Sequence, residues 1–375
     1  MAITRIGNIA NTLPDDSISN SKFTDIVNFK NIIINGDMSI AQRGTSATGK
    51  TSSGIYTVDR IQSGISSAGT WTQSQSTDVP TGQGFATSLK MDCTTALGSL
   101  GSSNRLQISQ KFEGQNLQYL KKGTSSAESL TLSFWVKSNK TGTYICEIYD
   151  TDNTRHIAKS YTISSADTWE KKTITYAGDT SGALDNDNAE SLSVFFWLVA
   201  GSDFTSGTLA TSWASITNAN RAAGQTVNLA DSTSNYINIT GVQLEAGTTA
   251  SDFEFLPYDV NLRRCQRYCH RVQGISGDQK AIGSGFCSDT TRAAITVIHP
   301  VTMRAEPTIT EASIEIAHGP SSASSVSLGG DTDETLNVST LLLDADSGAP
   351  FTSGDGVRAR IASSTSAFLQ LDAEL

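Results

Sequence analysis

The chain has 375 residues, a net charge of −10 and a pI near 4.9. Its length predicts two or three domains at about 100–200 residues each, and its acidity argues against nucleic acid as a main partner, because phosphate recognition needs a cationic surface. About a quarter of the residues are Ser or Thr, with 31 Gly and only 7 Pro, a composition of strands and turns, and no apolar run approaches the roughly 18 residues that would predict membrane insertion.

The opening Met1-Ala2-Ile3-Thr4-Arg5 has no apolar secretory core, so synthesis in a cytoplasm is expected. The five cysteines, Cys93, Cys146, Cys265, Cys269 and Cys287, then read as reduced thiols. Residues 1–28 are polar with isolated apolar side chains and could not bury a core alone. They read as an N-terminal arm that docks on another protein through Ile3, Ile6, Ile18, Phe23 and Ile26, the other reading being a disordered terminus.

Residues 29–258 read as strand after strand. Asn31-Ile32-Ile33-Ile34 is β-branched and stops at the turn signal Asn35-Gly36. Phe85, Thr87, Leu89 and Met91 alternate with polar or small residues, as do Leu106, Ile108 and Phe112, and Leu130, Leu132, Phe134 and Val136. A period of two puts one face on a core and the other in water. Val194 to Val199 is continuously apolar, which predicts a strand covered on both faces. Ile237 and Ile239 share one parity and Val242 and Leu244 the other, with Gly241 at the switch. A β-bulge there keeps all four on the core. The pattern predicts a jelly-roll β-sandwich.

Over 259–273, Leu262, Cys265, Cys269 and Val272 fall at helical spacing among Arg263, Arg264, Arg267 and Arg271. This predicts one connecting helix with its arginines on a solvated face. Cys265 and Cys269 beside His270 allow a metal reading, but buried apolar packing is favoured over it. Strands resume over 274–375 and predict a smaller C-terminal β-sandwich. The whole is therefore expected to be all-β.

Catalysis finds little support in the sequence. None of His156, His270, His299 and His318 lies in a metal or triad pattern, and a nucleophile elbow and a P-loop are lacking. No enzyme activity and no cofactor are expected. Trp and Tyr faces suit saccharides, whose C–H faces are apolar. Trp135, outward by parity, reads either as a ligand contact or as a residue covered by a loop or subunit. Trp71 and Trp213, in Ser/Thr-rich stretches, are the other ligand or subunit candidates, whereas Trp197 reads as core.

Two stretches, Asn31-Ile32-Ile33-Ile34-Asn35-Gly36-Asp37-Met38-Ser39-Ile40-Ala41-Gln42-Arg43-Gly44 and Tyr56-Thr57-Val58-Asp59-Arg60, resemble the opening of a domain of phage tail fibre and related virion proteins. Thr131-Leu132-Ser133-Phe134-Trp135-Val136-Lys137 and Thr168-Trp169-Glu170-Lys171 resemble strands of carbohydrate-binding-module-like jelly rolls. Gly241 to Gly247, Phe253-Glu254, Pro257-Tyr258 and Cys265-Gln266-Arg267-Tyr268 resemble the closing strand and exit helix of the same phage domain. The chain departs from the pattern at Cys269, where an aromatic is usual, and at Ile61, where Trp is frequent. The resemblance implies a virion structural protein, a homotrimer carried on the tail. Its arm would join a tail adaptor or tail tube, and its far end would meet a host surface glycan or receptor. A capsid-attached head fibre or decoration protein, and a polysaccharide depolymerase, are the alternatives.

Overall fold

The computed structural model describes residues 29–318, 323–329 and 333–375. The proposed docking residues Ile3, Ile6, Ile18, Phe23 and Ile26 lie outside the described residues. Among the described residues no helix is long and apolar enough to cross a membrane.

The first unit contains β1 (Ser46–Lys50), β2 (Gln62–Ser66), β3 (Thr70–Ser76), β4 (Ser88–Thr95), β5 (Arg105–Glu113) and β6 (Leu130–Ser138). It continues with β7 (Gly142–Asp150), β8 (Arg155–Ile163), β9 (Glu170–Tyr176), β10 (Glu190–Ala200), β11 (Ala214–Ser215) and β12 (Tyr236–Ala246). They form two six-stranded sheets, β1-β3-β4-β12-β6-β9 and β11-β8-β7-β10-β5-β2. The inward residues are the alternating apolar sets of the sequence. Leu132, Phe134 and Val136 of one sheet face Ile108, Tyr144, Tyr161 and Phe196 of the other. Phe134 meets Tyr161 and Phe196 edge-on, with ring centres 5.1 and 5.0 Å apart, a geometry that adds to plain area burial. The bulge in β12 is present. Its register slips between Thr240 and Gln243, Gly241 takes φ +61°, and Ile237, Ile239, Val242 and Leu244 are all buried in the core.

Two expected elements differ. Asn31 to Ile34 is not a strand. The Asn31 side chain takes over the pairing: its Nδ2 donates to Val242 O, and its Oδ1 accepts from Ile33 N and Leu244 N. This stitches the segment to the bulge of β12 without a ladder. Gly36 closes the turn where a Cβ would lie 2.0 Å from Val242 O, so only glycine fits. The connecting helix is also shorter than 259–273. Helix α1 spans Tyr258–Gln266, and Cys269 to Gln273 leaves it as a strand. Nor are its arginines a solvated face. Only Arg263 is exposed. Arg267 pairs with buried Glu113 at 2.6 Å, Arg264 Nη2 donates to Asn31 O, and Arg271 stacks 3.7 Å over the Phe368 ring.

The second unit contains β13 (Cys269–Gln273), β14 (Lys280–Cys287), β15 (Arg292–Ile298), β16 (Thr308–Ala312) and β17 (Ile314–Ala317). After them come β18 (Ala323–Leu328), β19 (Asp333–Glu334), β20 (Val338–Ala345), β21 (Gly356–Ile361) and β22 (Phe368–Asp372). The smaller sandwich expected here takes the form of a seven-stranded sheet, β15-β14-β21-β17-β18-β20-β19, that curls until β15 pairs with β20. This closure removes sheet edges. A three-stranded sheet, β13-β22-β16, shares its core through Leu369 and Leu371.

The two units are fastened by charge and by apolar contact. Arg43 reaches Asp372 at 2.9 Å, Arg60 pairs with Glu374, and Arg304 donates to the carbonyls of Asn188, Ala373 and Glu374. Ile34, Ile40, Cys265 and Tyr268 form a small apolar cluster beside them. Six of these residues, Ile34, Ile40, Arg43, Arg60, Cys265 and Tyr268, lie in the stretches that carry the phage-domain resemblance, so part of that motif closes the sandwich onto its neighbour.

A candidate saccharide groove on the second sheet

β10 is covered on both faces, as its sequence predicts, but by two different structures. Leu192, Val194, Phe196 and Leu198 face the sandwich core. On the outer face, Trp197 packs with Ile145, Ala158, Phe204 and Ala222 under the segment 201–225. That segment covers only part of the sheet. Beside it lies a groove of about 470 Å³. Arg105, Gln107 and Lys111 enter it from β5, Tyr149 from β7 and Glu190 and Phe195 from β10, while Asp203, Asn218 and Arg221 stand on the covering segment.

The floor is held from beneath by a buried acid. Glu147, wholly buried on β7, accepts from Trp197 Nε1 at 3.0 Å and from Arg221 Nε at 2.9 and 3.1 Å, and contacts His156 Nδ1 at 2.9 Å. A buried carboxylate is tolerable only with such partners, so Arg221 cannot wander. Its guanidinium carbon sits 5.6 Å from the Tyr149 ring centre and 5.5 Å from that of Phe195. These two half-buried aromatics stand diagonally across the ladder of β7 and β10, with the Arg221 guanidinium over both rings. On one flank Lys111 pairs with Glu190 at 2.9 Å, and Glu190 also accepts from Thr151 and Ser193. Arg105 lies 5.5 Å from the Phe204 ring centre. Gln107 is 5% exposed, and its Nε2 has no hydrogen-bond partner among the described residues.

The structure scatters the tryptophans singled out from sequence. Trp71 is 0% exposed, and its Nε1 donates to Ala68 O at 2.7 Å, so it offers no ligand a face. This corrects its reading as a contact residue. Trp213 is half-buried against the sandwich, donates to Ala177 O and lies under the ammonium of Lys122. Trp135 is half-buried on the outer face of the first sheet, opposite Lys171 and Thr240. Trp169, just before β9, donates its Nε1 to Asp78, which pairs with Lys137. Cys265 and Cys269 are buried, one on α1 and one on β13, with burial pushing both thiols well above their ordinary range. Tyr149 and Phe195, the central groove residues, were not anticipated. Parity with the charged Glu147 was the available signal for Tyr149.

A second cavity of about 330 Å³ lies at the junction, lined by Phe29, Ile32, Phe112, Leu117, Tyr119 and Tyr268 among others. It is more apolar and adjoins the start of the described chain.

No protein-family model and no curated protein matches this chain. Among solved structures it is similar to the enzymatically active domain of tailspike protein 4 of bacteriophage CBA120, at 14% identity and TM-score 0.31, covering 58% of this chain and 22% of that one. It is similar to a putative sugar binding protein from Bacteroides thetaiotaomicron at 13% identity and TM-score 0.32, covering 58% and 99%. It is also similar to a family 11 carbohydrate-binding module from Clostridium thermocellum at 13% identity and TM-score 0.25, covering 55% and 98%. The function of the groove is therefore read from its own residues.

Proposed function

We propose that this chain is a glycan-binding structural subunit of a virion, a tail fibre or receptor-binding protein of a bacteriophage, whose jelly roll holds a host surface saccharide in the groove of its second sheet. The observation that carries the binding reading is the pair Tyr149 and Phe195, on neighbouring strands of the open part of a sheet, with the Arg221 guanidinium over both rings and Arg105, Gln107 and Lys111 in the same groove. Aromatic faces take the C–H faces of a pyranose at small entropic cost, and flanking donors take its hydroxyls. The virion assignment is supported by the sequence resemblance over the sandwich and α1. In this reading residues 1–28 attach the subunit to the tail, Trp135 on the opposite sheet meets a neighbouring subunit, and three copies multiply a weak contact into useful avidity.

The test is a glycan array probed with the full chain, followed by calorimetric titration of the best oligosaccharide. Phe195→Ala is expected to weaken binding by about tenfold or more, as the loss of a stacking face worth ~1.5 kcal/mol, with the fold unchanged. Undiminished binding by Phe195→Ala, or release of new reducing ends from the bound glycan, would count against a purely binding groove.

A further inference from the structure

We infer that the groove selects an acidic saccharide and seats its carboxylate between Arg105 and Gln107. The inference rests on the glycan-binding reading of the groove and adds the class of sugar.

Arg105 and Gln107 are two residues apart on β5 and line the same groove, so they stand on one face of the strand. Each carries hydrogen-bond donors that the fold leaves unused. Gln107 is 5% exposed, and its Nε2 is closed to solvent with no partner among the described residues, so a ligand acceptor meets it once the side chain turns toward the groove it lines. A buried donor without a partner costs free energy, which a ligand acceptor would recover. Arg105 touches the Phe204 ring and makes no ion pair among the described residues. The other cations of the groove are already committed, Lys111 to Glu190 and Arg221 to Glu147. Of the two groove carboxylates, Glu190 is taken by Lys111, Ser193 and Thr151. Asp203 is exposed on the rim and does not pair with Arg105. What remains is one guanidinium fork beside one amide N–H₂ at the end of an aromatic floor. A neutral sugar would use the amide but leave the guanidinium charge uncompensated. A carboxylate on the sugar ring, from a uronic or a nonulosonic acid, satisfies both, and charge-assisted bonds are the stronger kind.

The test uses the full chain and matched pairs of oligosaccharides: galacturonate, glucuronate and N-acetylneuraminate forms, each beside its methyl ester. In at least one pair the acid is expected to bind about tenfold tighter than the ester, the scale of one charge-assisted bond, and the gap should narrow with added salt. Arg105→Gln is expected to close the gap, lowering the affinity for the acid toward that for the ester, and Gln107→Met to weaken the acid without lowering the melting temperature. Esters bound as tightly as acids, with both lost in Phe195→Ala, would overturn the acidic selectivity while leaving the glycan groove intact. An acid preference that survives Arg105→Gln would also overturn it. Failure of every acid and every ester to bind would remove both the inference and the reading on which it rests.

Discussion

Trp71 and Trp135 occupy opposite sides of one sheet, and their substitution should separate a core residue from a surface one. Trp71 fills the interior with its N–H satisfied, so Trp71→Ala is expected to cost about 3–5 kcal/mol. Trp135 stands half-buried on the outer face, and Trp135→Ala is expected to cost under about 1 kcal/mol in the monomer. Urea unfolding of both variants checks this, and equal losses would contradict the assignment of faces. The sequence makes one of these placements legible and hides the other. Trp135 lies in a strand whose inward set, Leu130 to Val136, is uniformly apolar. Trp71 shares its inward face with Gln73, which is buried because it accepts from Thr57 and donates to Ser63. A polar residue on the core side disguises the alternation. Phe195 is hidden differently: inside an unbroken apolar run, residue type does not show which outer-face position a loop will cover.

At the scale of elements, the long strands follow from pattern alone. β5, β6 and β10 run where their alternation or continuous apolarity places them, and the glycine at the parity switch of β12 marks its bulge. The failures occur where side chains or distant partners replace local preference. Residues 31–34 have strand propensity, but the Asn31 amide supplies the bonds a ladder would have made. Residues 269–273 have helical spacing, but pairing with β22 through Cys269 to Gln273 draws them into a sheet, and tertiary context of that kind overrides local periodicity. The groove belongs to the same class. Its walls come from three strands and a covering segment distant in sequence, so no motif could announce it.

The whole molecule is joined by buried charge, and this makes its stability respond to pH in two opposing ways. Burial raises the Asp59 carboxyl to about 6, despite Arg43 and Gln42 beside it. Between the ordinary carboxylate value of 3.8 and about 6, the folded chain therefore holds a proton that the unfolded chain has lost, and this contribution to stability falls as pH rises. Burial, with His299 nearby, lowers His270 to about 4 from 6.5. In that window the unfolded chain holds the extra proton, and stability falls as pH falls. The two slopes oppose each other between about pH 4 and 6. Asp59→Asn removes one of them, so acidification from pH 6.5 to 4 is expected to destabilise the variant more than the parent, by about 1–3 kcal/mol. Urea midpoints at three pH values measure it, and parallel profiles would contradict the account of the junction.

The same architecture leaves the outer face of the second sheet free to bind while the junction fixes its neighbour. In the proposed reading a saccharide lies on Tyr149 and Phe195. A crystal structure of the chain with the oligosaccharide selected by array tests it most directly. A pyranose ring is expected against one or both of these side chains, with its polar groups toward Arg105 and Gln107. A sugar bound instead on the Trp135 face, or in the apolar cavity at the junction, would contradict it.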